Sequence, residues 1–170
     1  MASEPRFDPA PALRALADGG VDFVVIGGVA GAVHGSTYPS YDLDVAYARD
    51  SDNLERLVHV LRDLGATLRG APPGLPVQLD ARSLREGGNF TFDTRLGPVD
   101  ILAYPEGSAT YDRLRADAKV IAVDGREIRV ASLDHLISMK SATGRRKDEL
   151  MVNEYKALAD AIRSRETAEP

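Results

Sequence analysis

The chain contains no cysteine, which excludes disulfide bridges, zinc–thiolate centres and cysteine nucleophiles. Histidine is scarce, and His34, His59 and His135 are scattered, so a histidine-rich metal site is not expected. No apolar run approaches the roughly 20 residues needed to span a bilayer. The N-terminal stretch from Met1 to Gly20 lacks an apolar signal core. A cytoplasmic protein without membrane contact is therefore expected. Lysine is rare among the 21 basic residues, occurring only at 119, 140, 147 and 156. With a net charge of −5, the whole molecule exerts no attraction on phosphate backbones, leaving a local basic patch as the route to nucleic acid.

What is present suits one domain. The 170 residues are 44% hydrophobic and 28% charged, enough apolar material for one sizeable core without a metal or disulfide staple. A single domain is expected over residues 12–163. The Pro-rich stretch 1–11 and the charged stretch 164–170 read as flexible ends. The segment from Gly70 to Pro76 (GAPPGLP) is the strongest loop signal.

Hydrophobic patterning supplies the elements. Ala12–Asp18 reads as a short helix stopped by Gly19-Gly20. Val21–Ile26 (VDFVVI) is an apolar run, broken only by Asp22, with β-branched residues, hence a buried strand. Gly27-Gly28 opens a small-residue helix, Val29–Val33. Tyr41–Ala48 alternates, with Leu43, Val45 and Tyr47 on one face and Asp42, Asp44 and Ala46 on the other. Asp52–Leu64 carries leucine and valine at helical spacing. Asn89–Thr94 and Val99–Ala103 read as paired strands, and Lys119–Val123 with Glu127–Val130 as a hairpin around Asp124-Gly125. Ser132 caps a helix that Gly144 ends, and a last helix spans Lys147–Ile162. The expected class is α+β (α/β), a mixed sheet with packed helices.

The functional signal is Gly27-Gly28, a spacer of 13 residues, then Asp42-Leu43-Asp44. Carboxylates at i and i+2 of a strand share a face, with Cα atoms roughly 6.5–7 Å apart. They repel unless solvated or neutralised, and a divalent cation with hard oxygen ligands resolves the repulsion. A solvated acidic edge strand is the plainer reading of such a pair alone. The glycine pair permits close backbone approach ahead of a helix N-terminus, a combination that cradles phosphates. Asp100, alone in the apolar stretch Val99-Asp100-Ile101-Leu102, supplies a third carboxylate. Three such groups fit a two-metal phosphoryl-transfer site.

This order resembles the polymerase-beta-type nucleotidyltransferase superfamily. A second stretch, Lys140-Ser-Ala-Thr-Gly-Arg145-Arg-Lys-Asp148, is similar to the KxxA…R.KD motif of small bacterial nucleotidyltransferases related to abortive-infection (AbiEii-type) toxins. The resemblance covers roughly residues 21 to 158. It implies an enzyme that moves a nucleoside monophosphate from an NTP to an acceptor hydroxyl, with Mg²⁺ or Mn²⁺ held by Asp42, Asp44 and Asp100. It further implies that Asp100 activates the acceptor, that Gly27, Gly28, Ser36 and Ser40 line the nucleotide, and that Lys140 and Arg145 neutralise charge. Relatives often carry an R-x-T-x-D-x-D arrangement; here Tyr38 stands at the Arg position and Ser40 at the Thr position.

Plainer readings stand beside these roles. Lys140 also suits a snorkelling surface lysine, Asp148 a helix cap or a partner of Lys140, and Ser36 and Ser40 ordinary turn residues. A toxin-like relative would act on tRNA, with a cognate toxin or antitoxin protein as partner. The Lys140–Asp148 stretch favours this toxin-like branch; the alternative, an aminoglycoside-type antibiotic nucleotidyltransferase, would act on a cationic small molecule, to which an acidic protein is better suited. A non-catalytic, antitoxin-like module that binds nucleotide or a partner is the alternative of another class.

Overall fold

A computed structural model describes residues 7–75 and 78–168. Met1–Arg6, Glu169 and Pro170, the outer parts of the expected flexible ends, lie outside the described residues, as does Pro76 of the expected loop. The elements are α1 (Ala10–Asp18), β1 (Phe23–Ile26), α2 (Gly27–Val33), β2 (Leu43–Tyr47), α3 (Ser51–Asp63), β3 (Thr67–Leu68), α4 (Ala81–Glu86), β4 (Asn89–Thr94), β5 (Gly97–Leu102), α5 (Tyr111–Ala116), β6 (Lys119–Val123), β7 (Arg126–Val130), α6 (Leu133–Thr143) and α7 (Arg146–Glu166).

The strands form one seven-stranded mixed sheet in the order β3-β4-β5-β2-β1-β7-β6. β1 pairs antiparallel with β2, and β2 runs parallel to β5. On the other side β1 runs parallel to β7. The expected mixed sheet with packed helices is the fold observed. Leu43, Val45 and Tyr47 are fully buried and share one core with Val99 and Ile101 of β5 and with Leu54, Leu57 and Leu61 of α3. Their neighbours Asp42 and Asp44 lie on the opposite, half-buried side, as strand alternation requires.

Local chemistry sets the element ends. Asp50 caps α3 by accepting from the Asn53 N–H at 2.9 Å. The buried Asn53 amide bonds Asp22 and the Ala48 carbonyl, tying α3 to the sheet. Ser132 accepts from the His135 N–H to cap α6, and Gly144 closes that helix in the left-handed conformation. Asp124 and Gly125 both take positive φ, as a tight hairpin turn between β6 and β7 demands.

Some expectations need correction. The first helix starts at Ala10, because a proline in its first turn is compatible with helix. β2 starts at Leu43, since Tyr41 is outside the ladder and exposed. α7 extends to Glu166, so residues 164–166 are helical rather than loose. Asp148 does not cap α7: Arg145 occupies the cap position and the Asp148 side chain turns toward α6. β3, α4 and α5 had no counterpart in the sequence reading, being two to six residues long and too short to show periodicity. Among the described residues no helix is long and apolar enough to cross a membrane.

Candidate active site

Strand register brings the three carboxylates together. Asp44 of β2 and Asp100 of β5 are direct partners across the parallel pair. Adjacent strands lie about 4.8 Å apart, so two same-face side chains in register meet. Asp42 precedes Asp44 by two residues and joins the same face. One carboxylate oxygen from each of Asp42, Asp44 and Asp100 lies within 4.8 Å of the others. Such crowding of anions is costly without a counter-charge.

Electrostatics reflects that cost. Burial, then the charges of Asp42 and Asp100, push the Asp44 carboxyl up to about 7. Burial also raises Asp100, while Arg69 works against the rise. Among the described residues no protein donor bonds the carboxylates of Asp42 or Asp44. An all-oxygen donor set this close suits a hard divalent cation such as Mg²⁺ or Mn²⁺.

Gly27 stands directly over this cluster. β1 runs antiparallel to β2 with Ile26 opposite Asp44, and the chain turns into α2 at the next residue. Gly27 takes φ +66°, and a Cβ there would lie 2.2 Å from Asp44 Oδ2. Any side chain would displace the carboxylate. Gly28 meets the loop before β2 as closely: a Cβ would lie 2.8 Å from Ser40 Oγ. Ser40 itself donates to the Asp42 carbonyl at 3.0 Å, holding the entry into β2.

Lys140 reaches the same region from α6. With Asp44, Gly27, Asn89, Glu106, Leu102, Met139 and other residues it lines a cavity of about 310 Å³. Its Nζ donates to Asp148 Oδ1 at 3.2 Å, and the Thr143 hydroxyl donates to the other oxygen of that buried carboxylate. Burial alone would raise Asp148, but the bonds from Thr143 and Lys140 hold it below the usual range. Of the two sequence readings of Asp148, partner of Lys140 is the one observed.

Other sequence candidates fall elsewhere. Ser36 donates to Glu154 at 3.1 Å, and Thr37 bonds the same carboxylate through N–H and hydroxyl, so this loop is tied to α7. Ser36, Ser40 and Tyr38 line a separate cavity of about 480 Å³ with Phe7 and Val29. Arg145 is exposed at the start of α7 and lines neither cavity. Sequence reasoning missed Arg69, whose Nη2 donates to Asp100 Oδ1 at 2.9 Å, and also the cavity residues Asn89 and Glu106. No local signal marks them, because strand pairing brings in Arg69 and Asn89, and the turn after β5 brings in Glu106.

No protein-family model matches the chain, and no curated protein matches it. Solved structures do. The lincosamide antibiotic adenylyltransferase LnuA, in its lincomycin-bound crystal structure, aligns over 87% of this chain and 94% of its own at 15% identity, with a TM-score of 0.58. A candidate nucleotidyltransferase from Thermotoga maritima aligns over 90% of this chain and 97% of its own at 15% identity, with a TM-score of 0.52. An antigenic nucleotidyltransferase-like protein from Paracoccidioides brasiliensis aligns over 88% of this chain and 72% of its own at 16% identity, with a TM-score of 0.50. At these identities the likeness is one of fold, and the fold is that of nucleotidyltransferases.

Proposed function

We propose that the protein is a metal-dependent nucleotidyltransferase that moves a nucleoside monophosphate from an NTP to an acceptor hydroxyl. The observation that carries this reading is the convergence of Asp42, Asp44 and Asp100 oxygens within 4.8 Å on a sheet of nucleotidyltransferase fold. These carboxylates would hold Mg²⁺ or Mn²⁺, which supplies charge neutralisation to the triphosphate and the departing pyrophosphate.

The chain's own residues do the rest. Gly27 keeps the wall beside Asp44 free of a side chain, so phosphate oxygens can approach backbone, and Gly28 lets the Ser40 loop pack closely against the start of α2. Lys140, oriented by Asp148, puts a positive charge into the same cavity. Asp100 takes the proton from the acceptor hydroxyl. The hydroxyl oxygen then bonds to the α-phosphorus, and the bond to the bridging oxygen breaks, with its electron pair leaving on pyrophosphate. Ser36 acts through the loop it ties to α7, and Arg145 at the protein surface, rather than from the cavity wall.

For the acceptor, we favour a small hydroxylated molecule. The cavity of about 310 Å³ beside Asp44 is small, includes an acidic wall residue, Glu106, and belongs to an acidic chain. A toxin-like action on tRNA is the second reading, supported by exposed Arg145, Arg146 and Lys147 at the cap and first turn of α7. Incubation with α-labelled NTPs and Mg²⁺, offering in turn total tRNA and hydroxylated antibiotics, separates the two. Label on an antibiotic supports the first and label on tRNA the second. Label on neither, with no metal-dependent NTP turnover, favours a non-catalytic module.

A further inference from the structure

An arginine from the sheet edge reaches the carboxylate cluster. Arg69 follows β3, and its backbone N–H donates to the Thr91 carbonyl of β4 at 2.9 Å. Thr91 is the register partner of Asp100, which is the partner of Asp44. Arg69 therefore stands in line with the two carboxylates across four strands. Its guanidinium has three anchors: Nη2 donates to Asp100 Oδ1 at 2.9 Å and to the Phe92 carbonyl at 3.1 Å, and Nε donates to Asp93 Oδ1 at 3.2 Å. Two of those anchors are independent of Asp100. A planar guanidinium fixed in this way presents its donors in one geometry, which a lysine ammonium cannot reproduce. Asp100 Oδ2 has no protein donor among the described residues.

We propose that Arg69 is a positioning residue for Asp100: held by Asp93 and the Phe92 carbonyl, it fixes one oxygen of Asp100 and leaves the other directed to the metal and acceptor. The inference rests on the metal-dependent transfer reading. It separates two quantities that a purely structural arginine would move together. Arg69, Asp42, Asp44 and Asp100 carry a formal charge of −2, and without the arginine −3. Arg69→Gln should therefore bind a divalent cation more tightly while transferring more slowly, because Asp100 loses its anchor.

The test is calorimetric titration of metal-free protein with Mn²⁺, together with kcat and KM for NTP, on wild type, Arg69→Gln, Arg69→Lys and Asp93→Asn. For Arg69→Gln we expect Mn²⁺ affinity to rise about 3- to 10-fold and kcat to fall about 10- to 100-fold, with KM for NTP little changed. Arg69→Lys keeps the charge and loses the fork, so Mn²⁺ affinity should stay near wild type while kcat falls. Asp93→Asn frees one anchor at an exposed position and should lower kcat about 2- to 5-fold. Weaker or unchanged Mn²⁺ binding in Arg69→Gln overturns the proposal, as does a raised KM at constant kcat, which would make Arg69 a nucleotide contact. If Arg69→Gln does not fold, full wild-type kcat in both Arg69→Lys and Asp93→Asn overturns it. Wild type that binds no Mn²⁺ defeats the functional reading itself, whereas wild type that binds it beside indifferent variants defeats only the role of Arg69.

Discussion

A Cβ on Gly27 would lie 2.2 Å from Oδ2 of Asp44, so the first residue of α2 is held to glycine by the carboxylate beneath it. Its φ of +66° adds a second requirement, since L side chains rarely adopt that conformation. Gly27→Ala should lower stability by about 1–3 kcal/mol and weaken Mn²⁺ binding by displacing Asp44. Urea denaturation and metal titration check both. Wild-type metal affinity in a folded Gly27→Ala protein would show that the close approach is unimportant to the site.

The Asp44 carboxyl is raised to about 7, chiefly by burial and then by Asp42 and Asp100, against 3.8 ordinarily. The unfolded chain thus releases a proton near pH 4 that the metal-free native state keeps until about pH 7. Between those values the native state binds more protons, so stability falls as pH rises. Screening limits the loss to about 3 kcal/mol or less. Chelator-treated wild type should melt lower at pH 7.5 than at pH 5, and Asp44→Asn should lose much of that difference. An identical pH response in the two proteins would contradict the assigned shift.

Lys140, Thr143 and Asp148 form one polar unit, half-buried at Lys140 and Thr143 and closed over Asp148, which is only 6% exposed. Removing Lys140 leaves a buried carboxylate short of a partner, a loss of about 1–3 kcal/mol. Lys140→Ala with Asp148→Ala together should cost less than the sum of the single changes. A double-mutant cycle by urea unfolding measures the coupling, and strict additivity would mean that the pair is not a unit.

The Tyr155 hydroxyl is buried without a hydrogen-bond partner among the described residues, packed against Gly31 of α2. Tyr155→Phe removes an unsatisfied group and keeps the ring. The variant should be as stable as wild type or more so, by up to about 1 kcal/mol. A marked fall in melting temperature would show that the hydroxyl has a partner.

Sequence pattern revealed the parts of the site that are local. Alternation in Tyr41–Ala48 put Asp42 and Asp44 on one face, and the glycine pair marked the turn over it. Asp100 is legible as a lone carboxylate in an apolar stretch that would complete a two-metal site, but no local pattern shows that its strand pairs with β2, because that pairing skips two intervening strands. Arg69 is invisible for the same reason: it reaches Asp100 across β4 from the position just after β3, a two-residue strand with no periodicity of its own. Ser36 drew notice as a loop hydroxyl, yet its partner is Glu154, 118 positions away on α7.

The most direct measurement of the central claim needs no acceptor: calorimetric titration of Mn²⁺ into wild type, Asp42→Asn, Asp44→Asn and Asp100→Asn, each with a non-hydrolysable NTP analogue. If the three carboxylates form one metal site, wild type binds at submillimolar metal. Each Asn variant stays folded and loses at least about tenfold in affinity, since each removes one charged ligand. Absence of binding by wild type at millimolar metal, or wild-type affinity in any of the three folded variants, would contradict the shared site.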